Sequence, residues 1–331
     1  MAQESNKNFA IPLAFVGLMF FTLGFALGIN SFLIPVLKES LNLSSGVAYL
    51  LLAATFIPFI IFGYPASRTI AAIGYKRTMA VSFVIFALAF VVFVLSAKNE
   101  SFILFLAASF VSGTANAYLQ ASVNPYITIL GPIDSAARRI SMMGICNKLA
   151  WPVAPLFFAA VVPDSTNVQI ADLYLPFYII IGVFVLLSII SLMAPLPEVK
   201  ATGEDESSAD DCPYAANKTS IWQFPHLLLG VLALFVYVGV ETLALSTAID
   251  YATAVGLPSP DRYAWIPSIG MVVGYICGIV LIPKYLSQDG AMRICASLGV
   301  VGSLLIVLLP AQISIWAIFL MALGCSLLWP S

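Results

Sequence analysis

The chain has 331 residues, of which 61% are hydrophobic and only 9% charged, with a net charge of −2 and a mean hydropathy of +1.02. A soluble domain carries roughly 25% charged residues, so this chain cannot build a polar shell, and disorder, which needs low hydrophobicity and high charge, is excluded by the same figures. The slight negative charge argues against nucleic acid as a partner, and the remaining class is an all-α polytopic membrane protein.

A bilayer core of about 30 Å takes roughly 20 apolar residues per helix, and ten such runs are read in chain order. The first, Phe9–Leu37, is too long for a signal-peptide core and has no small-residue cleavage site. It holds Gly24 and Gly28, four apart and suited to close helix packing, then Asn30 and Ser31 near its outer end. Gly46–Ser67 and Thr78–Ala97 follow, joined by a loop with Arg68, Lys76 and Arg77, a candidate cytoplasmic gating element together with Arg139.

The fourth run, Phe102–Ile129, is the richest in polar groups. Ser112, Asn116, Gln120 and Asn124 recur every four residues and make one slowly drifting stripe on a helix face. Amides donate and accept at once, which suits sugar hydroxyls; the alternative is interhelical hydrogen bonding. Pro125 removes an N–H from the helix and is expected to open local backbone.

The fifth run, Ile140–Val162, carries Asn147 and Lys148, with Trp151 one turn on. An ammonium this deep cannot easily snorkel to the interface, and an aromatic ring beside it makes a plausible sugar platform; packing is the alternative for Trp151. Tyr174–Pro195 completes the first six. Residues 198–223 then place six acids (Glu198, Glu204, Asp205, Glu206, Asp210 and Asp211) among Ser, Ala and Gly, a composition that reads as a flexible linker.

Phe224–Ile249 begins beside His226, the one histidine, which suits an interfacial cap better than a proton relay. Deeper in that run lies Glu241, the sole carboxylate well inside any of the ten. Burial pushes a carboxylate towards its neutral form and a nearby cation pulls it back, so Glu241 is the candidate coupling group, with Lys148 as its tuning partner or ion pair. Tyr263–Leu286 contains Gly270, Gly274 and Gly278, a second packing set, and Ala291–Pro310 and Ile313–Trp329 end the series. The domain plan expected is a six-helix bundle over 1–197, an acidic cytoplasmic linker over 198–223 and a partial bundle of four helices over 224–331, short of a six-plus-six design by two helices. The five cysteines lack CxxC spacing, so neither a disulfide framework nor a zinc site is expected.

Several strings together resemble the major facilitator superfamily and, within it, the fucose/galactose/glucose symporter family. They are Gly28-Ile29-Asn30-Ser31-Phe32-Leu33-Ile34-Pro35, Gly74-Tyr75-Lys76, the run from Leu119 to Pro132 around Asn124-Pro125, Arg139-Ile140-Ser141 leading into Gly144-Ile145-Cys146-Asn147-Lys148, and Pro195-Leu196-Pro197-Glu198. The resemblance is strongest to the glucose/galactose branch. It implies twelve helices in full-length relatives, alternating access, and a hexose moved with a cation, proton or sodium, without another cofactor. The fucose branch uses acids in its first and fourth helices where this chain has Ser31 and Gln120, and a glutamine in the seventh where it has Glu241. Trp151-Pro152 replaces the small residue expected after Asn147-Lys148-Leu149-Ala150. The resemblance therefore implies a substrate site of Asn30, Asn116, Gln120, Asn124, Asn147, Lys148 and Trp151 between the halves, a bacterial inner-membrane location and action as a monomer. A fucose or amino-sugar symporter is the alternative. A membrane hydrolase or transferase, which needs paired acids, histidine clusters or an activated serine, and a channel are remote.

Orientation follows from Lys and Arg. With the N-terminus inside, ten of the fourteen (Lys7, Arg68, Lys76, Arg77, Arg138, Arg139, Lys200, Lys218, Lys284 and Arg293) lie in cytoplasmic segments and three (Lys38, Lys98 and Arg262) lie outside. The prediction is that a cysteine placed at Asp210 is labelled only from the cytoplasmic side; labelling in intact cells by an impermeant reagent overturns the orientation.

Overall fold

A computed structural model of the chain describes residues 10–130, 136–162, 168–197, 220–258, 263, 265–282 and 285–326. Among them the structure is helical throughout, as hydrocarbon demands of any open segment: only a helix satisfies its own backbone donors and acceptors. The helices are α1 (Ala10–Ser40), α2 (Ser45–Ala48), α3 (Leu50–Lys98), α4 (Phe102–Ile129), α5 (Ala136–Val161), α6 (Tyr174–Met193), α7 (Pro225–Ser246), α8 (Ala248–Ala254), α9 (Trp265–Leu281), α10 (Gln288–Leu308) and α11 (Ala311–Ser326).

Among the described residues, seven helical stretches are long and apolar enough to cross a membrane. One of these, α3, has 49 residues, about 73 Å at 1.5 Å per residue and too long for one crossing. It breaks at Gly74, whose φ of 82° and ψ of 168° no L-residue adopts without strain. The expected loop between Ser67 and Thr78 is therefore corrected: the backbone stays helical on both sides of one glycine, which divides two crossings. With that division, and with the shorter α9 and α11 of 17 and 16 residues, the described helices account for all ten expected runs.

Other boundaries differ for local reasons. The run Phe224–Ile249 is interrupted at Thr247, whose hydroxyl donates to the Leu243 carbonyl at 2.7 Å and competes with the next helical bond; α8 then restarts. Helix α9 stops at Leu281, just ahead of Pro283, which disfavours helical geometry in the residue before it. Helix α10 starts three residues earlier than its apolar run because the Ser287 hydroxyl caps it, accepting from the Gly290 N–H at 3.2 Å, with Asp289 in the first turn. Helix α4 runs on through Pro125 to Ile129, so the backbone is not opened there as expected.

The chain divides into two compact units: residues 1–131 with 146–198, and residues 132–145 with 199–331. In the first, α3 packs along α4 and α6, and α1 lies on α4. Phenylalanines fill this core: Phe86 stacks on Phe184 at 4.8 Å, and Phe90, Phe93, Phe105, Phe158 and Phe177 extend the cluster with edge and tilted contacts. In the second, α11 packs against α10, α9 and α7, and Ala252, Leu257, Ile266, Ile315 and Ile318 form a small core. Large apolar side chains such as Ile60, Met193, Phe235 and Val307 stand exposed. In water such a surface would aggregate; here it is the face a bilayer covers.

Glycines set the helix spacing. A Cβ at Gly24 or Gly28 would run into the Asn147 or Trp151 carbonyl of α5, and one at Gly270 would come within 2.6 Å of the Phe319 carbonyl of α11. Gly24, Gly28, Gly270 and Gly274 thus act as packing devices, as expected. Gly113 on α4, not anticipated in that role, sits against the Thr55 carbonyl of α3. Gly113→Val is predicted to lower the thermal midpoint in detergent by the equivalent of about 1–3 kcal/mol of overpacking. Gly63→Val, whose side chain would enter open space, serves as control, and equal melting of the two variants would refute the close α3–α4 approach.

Candidate functional site

Hydroxyls buried in a membrane protein usually bond back to their own helix. Thr22, Thr55, Ser82, Ser96, Ser122 and Ser191 do so here, at 2.7–2.9 Å to the carbonyl four residues earlier. Against that habit the polar stripe of α4 stands out. Ser112 is buried, and its hydroxyl has no partner. Asn116 is 0% exposed, with neither its amide nitrogen nor its oxygen bonded. An orphaned buried amide costs about 1–3 kcal/mol, so the fold retains Ser112 and Asn116 at the expense of stability. Gln120 and Asn124 follow down the same face and are half-buried.

Helix α1 meets this stripe at its upper end. The Ser109 hydroxyl donates to the Asn30 Oδ1 at 3.3 Å, and the Asn30 Nδ2 donates to the Ala26 carbonyl at 3.4 Å. Asn30, 1% exposed, therefore spends its amide on joining α1 to α4. The neighbouring Ser31 hydroxyl is buried without a partner.

On α5, the Asn147 Nδ2 donates to the Phe20 carbonyl at 3.1 Å, tying α5 to α1 beside the Gly24 contact. The Asn147 amide oxygen remains to accept. Lys148 is buried at 8% exposure, and its ammonium lies 6.0 Å from the centre of the Trp151 ring, at the limit of a cation–π contact. The expected ammonium-and-aromatic pair is thus present. The first unit holds orphaned amide and hydroxyl groups on α4 and a cation with an aromatic face on α5, group types suited to a neutral polyhydroxyl ligand.

In the second unit Glu241 is buried at 8% exposure on α7. Tyr237, one turn earlier on the same face, has a buried hydroxyl with no hydrogen bond of good geometry; Glu241 is the neighbour whose charge reaches it. Tyr275 of α9 and Cys325 of α11, both 2% exposed, complete this group. The two tyrosines were not among the expected site residues, because aromatic residues are frequent in any apolar run.

The candidate gating residues divide between the units, Arg139 belonging to the second. Arg68 is exposed on α3 with its guanidinium 5.6 Å from the Tyr64 ring; Lys76 is half-buried and Arg77 exposed just beyond the Gly74 break; Arg139 is buried in the first turn of α5. His226 is exposed in the first turn of α7. The acidic segment 198–219 lies outside the described residues, and residues Ile221–Gln223 at its end form a short 3-10 turn.

Comparison with known proteins places this architecture. The family model described as Major Facilitator Superfamily matches residues 16–331. The chain is 30% identical over 341 residues to a glucose/galactose transporter of Brucella abortus biovar 1 (strain 9-941), covering 99% of this chain and 80% of that protein. It is 23% identical to an L-fucose-proton symporter of Escherichia coli (strain K12), over 75% of this chain and 60% of that one. Among solved structures, FucP in the outward conformation superposes with a TM-score of 0.79 at 21% identity, covering 98% of this chain and 83% of that one; at that identity the likeness speaks for the fold alone. Matched by the family model along nearly its whole length and by a relative at 30% identity, the chain belongs to the Major Facilitator Superfamily of multi-pass membrane transporters.

Proposed function

We propose that this transporter is a secondary active symporter that takes up a hexose, glucose or galactose, together with a proton or sodium ion by alternating access in a bacterial inner membrane, with its N-terminus in the cytoplasm. The observation that carries this reading is the pairing of chemistries in the two units. The first unit holds neutral donors and acceptors on α4 and the Lys148–Trp151 pair on α5. The second holds a buried carboxylate among phenols. Amides suit hydroxyls that donate and accept together, and a carboxylate out of water suits a group that must be charged in one state and neutral in another. The similarity to the Brucella glucose/galactose transporter supports the choice of sugar.

In this reading Gln120, Asn124 and the Asn147 amide oxygen contact sugar hydroxyls, and the Trp151 face packs on the pyranose ring. Asn30 and Asn116, buried within the first unit, act on the sugar through the helices that they shape. Glu241 carries the coupling cation. Uptake of labelled glucose, galactose and fucose into proteoliposomes, with pH and sodium gradients imposed separately, tests the substrate and the ion together. Accumulation of fucose in preference to both other sugars overturns the glucose/galactose reading.

Two predictions address the site. Gln120→Ala is expected to weaken sugar binding by about 1–3 kcal/mol, the cost of leaving a buried polar partner unmet, while expression and melting stay as in the parent. Calorimetric titration checks this, and parental affinity in the variant reduces the α4 stripe to interhelical bonding. Glu241→Gln is expected to mimic the protonated carboxyl. Sugar counterflow, which needs no net cation movement, should persist while gradient-driven accumulation disappears; a variant that still concentrates sugar places coupling on another residue.

A further inference from the structure

Within the first unit, α1 holds α5 along a short ladder of contacts to main-chain oxygens, and one rung differs from the others. The Asn147 Nδ2 donates to the Phe20 carbonyl at 3.1 Å. One turn on, a Cβ at Gly24 would run into the Asn147 carbonyl and come within 3.2 Å of the Ala150 Cβ. A further turn on, a Cβ at Gly28 would run into the Trp151 carbonyl and come within 3.0 Å of the Ala154 Cβ. At both glycines the hydrogen carried in place of Cβ therefore points at a carbonyl oxygen of α5, the geometry of a Cα–H···O contact between helices. Phe25 against Phe157 at 5.7 Å and Phe32 against Phe158 at 4.5 Å flank the ladder.

The two carbonyls are not equivalent. The Asn147 carbonyl can accept from the Trp151 N–H, four residues on in its own helix. The Trp151 carbonyl finds Pro155 in that place. Proline has no N–H, and its ring crowds the carbonyl four residues back, so the Trp151 oxygen is both deprived of its helical donor and tilted out of α5. An acceptor in hydrocarbon is costly unless something covers it, and α1 meets this one with Gly28, which is buried there. The same residue, Trp151, carries the half-buried indole beside the Lys148 ammonium.

We propose that Gly28 and Pro155 are positioning residues for Trp151. Pro155 turns the Trp151 carbonyl out of α5, Gly28 receives it, and together they fix the backbone from which the indole face is presented to the sugar. This rests on the reading of Trp151 as the sugar platform. Neither residue has a polar side chain, and Pro155 is exposed, so their influence on binding runs through the Trp151 backbone.

The test uses the whole chain in detergent and reads galactose affinity by calorimetric titration together with the thermal midpoint. Pro155→Ala returns an N–H to α5, so the Trp151 carbonyl swings back into its own helix. The midpoint is expected to hold or rise while galactose binding weakens about tenfold, because a binding constellation tolerates only about 0.5 Å of misplacement. A proline with a packing role alone predicts that rise with parental affinity, and this result overturns the proposal. Gly28→Ala is expected to lower both midpoint and affinity. In a Pro155→Ala background, where the carbonyl has withdrawn, it should cost clearly less midpoint than it does alone, the non-additivity of two changes at one contact. Gly24→Ala, set against a carbonyl that keeps its helical donor, is the control and should add fully to Pro155→Ala. Full additivity of Gly28→Ala with Pro155→Ala overturns the carbonyl link; a Gly28→Ala chain that folds only with Pro155→Ala supports it. If Gly28→Ala folds in neither background, the affinity of Pro155→Ala decides. Parental galactose affinity in Trp151→Ala removes the platform reading itself, a result distinct from failure of the Gly28–Pro155 link, which the midpoints decide by themselves.

Discussion

The constraint on which this molecule depends is that hydrocarbon offers no hydrogen bonds. Every backbone amide within the bilayer has to find its partner on its own helix, and every polar side chain has to be satisfied by protein or stay orphaned at a cost. The helical architecture follows from the first half of that statement. The second half sorts the side chains: most buried hydroxyls return to a carbonyl one turn back, Asn30 and Asn147 bridge helices, and Ser112, Asn116 and Tyr237 do neither. Asn116 and Tyr237, which break the habit, lie one turn from Gln120 and Glu241 on the helices that carry the proposed chemistry.

Apolar length made most of the fold legible in the sequence. Continuous runs named the helices, and α4 was read to the residue. The failures were local and came from single residues. Gly74 keeps helical backbone on both sides of a break that composition marks as a loop; the Thr247 hydroxyl interrupts a run that hydropathy carries onward; Ser287 starts α10 in a polar stretch that an apolar criterion passes over. Hydropathy measures affinity for lipid and is blind to caps and to backbone handedness, so it finds elements and misplaces their ends.

The site was legible where scarcity marked it. A lysine, a glutamate and four polar residues in register are conspicuous in a chain so poor in charge. What each of them bonds to was not legible, because partners come from other helices: spacing placed Asn30, Gln120 and Asn147 alike, yet Asn30 is consumed by Ser109, and Asn147 gives its amide nitrogen to the Phe20 carbonyl and keeps only its oxygen. Tyr237 and Tyr275 were invisible for the opposite reason, as aromatics give no signal against an apolar background.

Gly74 differs in kind from the glycines at helix contacts. At Gly24 and Gly113 the obstacle to a side chain is a neighbouring carbonyl, so intolerance there is steric, grows with the size of the newcomer, and could be relieved by a compensating change across the contact. At Gly74 the obstacle is chirality. Its φ of 82° with ψ of 168° lies in territory that belongs to the mirror image of ordinary strand backbone. No second-site change elsewhere in the chain can restore that freedom to an L-residue, so selection for revertants of a Gly74 substitution would recover glycine itself. A D-alanine placed there by chemical ligation would satisfy the backbone where L-alanine would not.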